Sequence, residues 1–264
     1  MTRPPSTLES FFAELDRSAA EREPASRAEH PYGELADQRG ELRLPARGGP
    51  HPVAVVIHGG FWRAQFTLRN TRALAIALTE AGWATWNIEY RRVGAGGGYP
   101  QTLDDVAAAC RAVASLDGEL DLRRTVAVGH SAGGQLALWA AAEGLVGGAV
   151  ALAGVSDLAA AAKLRLGDGA VQELLGGEPA DAPDRYDAAD PTRRLPLGAP
   201  TLLVHGAEDD RVPVEQSRAF AAAAGSAGDP CRLVVIEGAD HFDVIDPRTT
   251  AGRRVAAELA TFLS

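Results

Sequence analysis

Gly129-His130-Ser131-Ala132-Gly133 is the part of this chain best suited to chemistry. A short apolar run, Val126-Ala127-Val128, leads into it, and an alanine-rich helical pattern from Gln135 to Glu143 follows at once. The order strand, tight turn, helix lifts one serine above a sheet edge as an accessible nucleophile. Glycine belongs at 129 and 133 because a side chain there would strike the neighbouring strand or helix. A serine hydroxyl is a weak nucleophile near neutral pH. It needs a base, and the base needs an acid to orient it.

In sheets of this kind the three groups follow in chain order Ser, then Asp or Glu, then His. Of six histidines, His30, His51 and His58 precede the serine, His130 adjoins it, and His205 comes before the best acid candidates. His241 alone follows both, in Glu237-Gly238-Ala239-Asp240-His241-Phe242, directly after the last apolar run. The acid falls in the loop His205-Gly206-Ala207-Glu208-Asp209-Asp210-Arg211-Val212-Pro213. Three carboxylates compete there, and periodicity does not separate neighbours in a loop. Acyl chemistry also requires N–H donors aimed at a developing oxyanion. The amide of Ala132 supplies one. Gly59 and Gly60, in His58-Gly59-Gly60-Phe61-Trp62 after the run ending at Ile57, are expected to supply the other side, with the Phe61 amide as competitor. His58 itself reads as a structural histidine bonded to backbone.

The elements that must hold these residues follow from hydrophobic periodicity. Buried strands are expected at 53–57, 83–89, 125–128, 148–153, 201–204 and 233–236, with two short extended segments within 32–46 separated at Gly40. Helices are expected at 70–81, 103–116, 134–143 and 251–262, and an amphipathic one near the N-terminus at about 6–23. This alternation predicts an α/β fold with a mostly parallel central sheet and helices on both faces. Residues 154–199, rich in Asp, Pro and Ala, read as a small cap over the carboxyl ends of the strands, where ligands bind in open sheets. No linker divides the chain, so 1–264 reads as one domain.

Composition narrows the function further. With 46% apolar residues and a net charge of −9, the chain is a globular protein poorly suited to nucleic acid or an anionic membrane. Its two cysteines, Cys110 and Cys231, sit in no Cys-x-x-Cys spacing, and no His-Glu-x-x-His occurs, so neither a metal site nor a cofactor is expected. Met1 to Glu23 lacks the apolar core of a signal peptide, and no run reaches the roughly 18 apolar residues of a membrane span, which points to the cytoplasm.

With those residues in place, the chain resembles the α/β-hydrolase superfamily from about residue 32 to 264, on the esterase side that carries His-Gly-Gly in its oxyanion loop. His-Gly-Gly followed by an aromatic and Trp is similar to the motif of kynurenine formamidases (arylformamidases), whose usual form has Tyr where this chain has Phe61. General carboxylesterases share it. The family pattern Gly-x-x-Asp-x-x-Val-Pro, matched on Gly206, Val212 and Pro213, places the acid at Asp209, leaving Asp210 to pair with Arg211 at the surface. The resemblance thus implies Ser131 as nucleophile, Asp209 as orienting acid, His241 as general base, and Gly59, Gly60 and Ala132 as the oxyanion hole. Glu89-Tyr90-Arg91 and Tyr99-Pro100, ahead of Asp104 and Asp105, also fit the group as scaffold.

Phe61, Trp62, Tyr99 and Phe242 are the expected walls of the substrate pocket, with Trp139 read as core. Arg63 and Arg91 are candidate contacts for a substrate carboxylate. The implied substrate is a small aryl formamide such as N-formylkynurenine or a short-chain ester, the formamide being favoured by the loop motif. An acyltransferase is a further reading. A non-catalytic binding protein on the same fold is disfavoured by the intact Ser, Asp and His. The face of Leu8, Phe11, Phe12 and Leu15 is expected to dock on the chain's own core or on a second subunit, giving a homodimer.

Overall fold

The computed structural model describes residues 5–262. The chain opens with α1 (Pro5–Ala20), β1 (Ala28–Pro31) and β2 (Arg39–Arg43), and then enters a βα alternation. This runs β3 (His51–Ile57), α2 (Arg72–Glu80), β4 (Ala84–Ile88), α3 (Gln101–Ala112), β5 (Leu120–His130), α4 (Ala132–Ala142) and β6 (Ala149–Leu152). Three short helices follow, α5 (Leu158–Lys163), α6 (Ala170–Leu175) and α7 (Pro183–Ala189). The chain closes with β7 (Thr201–Gly206), α8 (Glu215–Ala227), β8 (Cys231–Ile236) and α9 (Thr250–Phe262). The strands form one sheet in the order β1-β2-β4-β3-β5-β6-β7-β8. Pairing is parallel from β4 to β8 and antiparallel only where β1 and β2 are added at one edge.

The apolar strands serve two cores at once. Val53, Val55 and Ile57 of β3 face one, while Ala54 and Val56 face the other, as the two-residue period of a strand requires. On the first face the sheet is covered by α3, α4, α8 and the 154–199 segment, and on the second by α1, α2 and α9. Helix α4 is buried from Ala132 to Ala141. That is why its sequence is apolar all round rather than striped.

Several elements depart from expectation. Gly40 lies inside β2 instead of separating two segments. A Cβ there would come within 2.6 Å of the Trp86 ring on neighbouring β4, so glycine admits the indole. The 154–199 segment is ordered by three short helices, and α8 was not expected at all. Its Ala-rich, Gly- and Ser-containing sequence buries only Gln216, Ser217, Phe220 and Ala224, too sparse a stripe to stand out. The face of α1 packs on its own chain: Leu15 and Ala19 meet Ala73 and Ile76 of α2.

Candidate active site

Four loops that carry the candidate residues leave the carboxyl ends of parallel strands β3, β5, β7 and β8, so the topology alone brings them to one side of the sheet. Ser131 sits between β5 and α4 at φ 55° and ψ −117°, a left-handed conformation that costs a non-glycine residue energy and persists only where the surroundings enforce it. The enforcement is visible. The Ser131 amide donates to the Leu152 carbonyl of β6 at 2.9 Å, and the Ser131 carbonyl accepts from Gly134 at 2.9 Å. A Cβ at Gly129 would lie 1.8 Å from the Gly133 oxygen, and one at Gly133 2.1 Å from the Ile57 oxygen. Both glycines are therefore obligatory for this crossing of strand and helix.

His241 follows β8, and its Nδ1 donates to Asp209 Oδ2 at 2.7 Å. Asp209 follows β7 and its side chain is fully buried. Oδ1 accepts from the amides of Arg211 and Val212, each at 2.8 Å. Oδ2 has a second partner, His205 Nε2, at 3.1 Å. That nitrogen also lies 2.9 Å from the Val212 carbonyl, which only accepts, so Nε2 carries the hydrogen and Nδ1 is left to accept from the Ser217 hydroxyl at 2.7 Å. Burial opposes the charge on Asp209, but the bonds from His205, His241 and the Val212 amide outweigh it and hold the carboxyl well below its ordinary range. Asp210 pairs instead with Arg211, at 3.5 Å. Elimination had set His205 aside as a base; its place beneath the acid carries no signal in the sequence.

His130 was likewise passed over. Its Nε2 donates to the main-chain carbonyl of His241 at 2.9 Å, and the two rings lie 4.7 Å apart. Burial, and then the proximity of His241, push His130 down to about 3. It stays neutral and tethers the histidine loop to the serine loop.

The Gly59-Gly60 loop is held from behind. Tyr90 Oη donates to the His58 carbonyl at 2.9 Å, and His58 Nδ1 donates to the Gly59 carbonyl at 2.7 Å. Each trans peptide aims its N–H opposite its carbonyl, so fixing two carbonyls fixes the amides of Gly59 and Gly60. His58 Nε2 meets Glu89 at 2.7 Å, and the ring stacks on Tyr90 at 4.3 Å. Glu89 also accepts from the Leu68 amide at 3.1 Å and pairs with Arg92 at 3.1 Å. Burial would raise its pKa, but His58, Arg92 and that amide hold it below the ordinary carboxylate range. A Cβ at Gly59 would approach the Ser131 Cβ to 2.9 Å, so this backbone lies directly against the serine. Ala132 opens α4, and a first-turn amide has no intrahelical partner.

A cavity of about 700 Å³ opens over these groups, lined by Gly59, Gly60, Ser131, His130 and His241 at its floor. Phe61 and Phe242 line it as expected residues, with Phe66 in addition. Gly167 and Asp168 reach in from the turn between α5 and α6, and Leu8, Glu9 and Phe12 from α1. Trp62 and Tyr99 are not on this wall. Trp62 is buried in the core, where its Nε1–H donates to Gln135 at 3.1 Å. Phe61 and Trp62 both have positive φ, so the chain turns between them and sends neighbouring rings to different places. Tyr99 packs on the same core, beneath the Arg185 guanidinium at 6.0 Å. Arg91 is taken by Asp105 through contacts of 2.8 and 2.7 Å. Arg63 does line the cavity, but it makes a two-pronged pair with Glu173 of α6 at 2.8 and 2.9 Å.

A family model described as the prolyl oligopeptidase family matches residues 82–264, a span holding Ser131, Asp209 and His241. The chain belongs to the prolyl oligopeptidase family. Membership makes it a hydrolase of the serine type on an α/β-hydrolase fold. Solved structures share that fold with this prolyl oligopeptidase family member. Esterase 2 of Thermogutta terrifontis, phosphoramylated by tabun, superposes with a TM-score of 0.74 at 24% identity, covering 91% of this chain and 95% of the other. The same esterase with propionate bound gives 0.73 at 25%, covering 90% and 94%. The acetyl ester-xyloside bifunctional hydrolase of Caldicellulosiruptor lactoaceticus gives 0.74 at 21%, covering 89% and 95%. No curated protein sequence matches the chain. Among the described residues no helix is long and apolar enough to cross a membrane.

Proposed function

We propose that this protein is a carboxylesterase that works through an acyl-enzyme on Ser131. The observation that carries the reading is the buried Asp209–His241 bond beside a strained serine, with His241 and Ser131 lining one cavity. His241 Nδ1 is committed to Asp209, which leaves Nε2 to take the Ser131 proton as Oγ bonds to the ester carbonyl carbon. The carbonyl oxygen gains the negative charge, and the amides of Ala132 and Gly60, with Gly59 beside them, are its donors. Collapse of the tetrahedral adduct expels the alcohol, which leaves with the proton held on His241. Water then attacks the acyl-enzyme with His241 again as base, releasing the acid and restoring Ser131. The likeness to an esterase seen with propionate and with butyrate supports a short acyl group.

A second reading, hydrolysis of an aryl formamide such as N-formylkynurenine, draws on the aromatic lining from Phe61, Phe66 and Phe242. The same groups would serve it, since both carbonyls pass through the same kind of adduct. The deciding experiment is a parallel assay of the purified protein on p-nitrophenyl acetate, propionate and butyrate and on N-formylkynurenine, with Ser131→Ala as control. Ester cleavage with kcat/KM of about 10⁴ M⁻¹s⁻¹ or more, lost in the variant, supports the esterase. Preference for the formamide replaces it with the second reading, and turnover that survives Ser131→Ala removes both.

A further inference from the structure

Helix α1 precedes the hydrolase sheet, yet its first two turns overhang the site. Leu8, Glu9 and Phe12 line the same cavity as Ser131 and His241. The Phe12 ring stands edge-on to Phe242 at 5.5 Å and to Phe66 at 6.3 Å, and Phe11 meets Phe242 at 5.6 Å. This is fixed packing. Asp16 is bound by Arg72 at 2.6 Å, Glu14 by Arg248 at 2.7 Å, and Leu15 is buried against α2. The aromatic group has a definite side of the reaction. Phe242 follows His241 directly, and their rings lie 5.0 Å apart. The histidine that takes the serine proton must return it to the leaving heteroatom, so the leaving group lies on the His241 side.

We propose that α1 completes the substrate site, with Leu8 and Phe12 joining Phe66 and Phe242 as a subsite for an apolar, ring-bearing leaving group. The inference rests on the hydrolase reading of Ser131 and adds the specificity of that site. Edge-on rings lining a pocket favour an aromatic ring over an alkyl chain of equal volume.

The test compares kcat/KM of the full-length protein on ethyl acetate, benzyl acetate and ethyl phenylacetate, which place the ring on neither side, the leaving side and the acyl side. Wild type is expected to prefer benzyl over ethyl acetate. Phe12→Ala should lower that preference roughly tenfold, Phe12→Leu by an intermediate factor, and inhibition by benzyl alcohol should weaken in step. The ratio of ethyl phenylacetate to ethyl acetate should hold. If Phe12→Ala does not fold, Phe12→Leu keeps the packing and carries the comparison. An unchanged benzyl preference, a loss that falls on ethyl phenylacetate, or an equal loss on all three overturns the role of α1 while leaving the esterase standing. Wild-type protein that cleaves none of them overturns both.

Discussion

His241 and His58 each meet a buried carboxylate at 2.7 Å, Asp209 in one case and Glu89 in the other. The pairs are alike in distance and unlike in what remains of the ring. His58 has both nitrogens engaged, one by the Gly59 carbonyl and the other by Glu89, so neither is open to a reacting group. Tyr90 stacks on one face of the ring, and the side chain is fully buried. His241 commits only Nδ1 and lines the cavity. On the proposed mechanism, a buried histidine–carboxylate pair thus serves as a proton shuttle or a backbone clamp according to what its second nitrogen meets.

The comparison can be broken most sharply at Ser131 and Asp209. Ser131→Ala should cost at least about 10³-fold in kcat with the thermal midpoint kept or raised, since alanine relieves none of the packing and removes only the hydroxyl. Asp209→Asn should cost on the order of 10³–10⁴ in kcat by spoiling the His241 tautomer, whereas Asp210→Asn should stay within about twofold. The reverse order would put the acid one residue further on. Glu89→Gln should invert the balance. It removes the buried carboxylate that faces His58, Arg92 keeping its pair with Asp37 at 2.8 Å, and should lose about 3 kcal/mol in urea unfolding, with kcat down only about 10–100-fold through a loosened oxyanion loop. A stable Glu89→Gln protein as inactive as Asp209→Asn would mean that the His58 pair also moves protons.

The smallest effect is on acid stability. Both carboxylates ionise more readily folded than unfolded, so the stability they contribute is fully present above the ordinary carboxylate pKa of about 4 and is lost as pH falls below it. Urea midpoints at pH 7 and pH 3 should therefore converge in Asp209→Asn and Glu89→Gln relative to wild type.

What the sequence showed was whatever a local pattern can carry. The runs around β3, β5 and β7 announced strands because a sheet covered on both faces demands apolar residues without a break. The serine turn was legible because its glycines are dictated by contacts under 2.2 Å. Singling out Asp209 took the family resemblance, since Glu208, Asp209 and Asp210 differ in nothing local. Side-chain direction was the weak point: sequence adjacency to the oxyanion loop suggested Trp62 as a wall, and a left-handed turn sent it into the core. His205, His130 and Phe12 were missed for one reason. Each is brought to its partner only by folding, and Phe12 meets Phe242 across almost the whole chain.

That last contact has a consequence for how the protein is made. The Glu14–Arg248 pair spans 234 positions, and the apolar face of α1 rests partly on Phe242. At about 5–20 residues per second, the ribosome releases α1 some 10–50 s before the segment that receives it. Leu15 and Ala19 have their seat on α2 long before then, whereas Phe11 and Phe12 lack the shelter of Phe242 until that residue has been made.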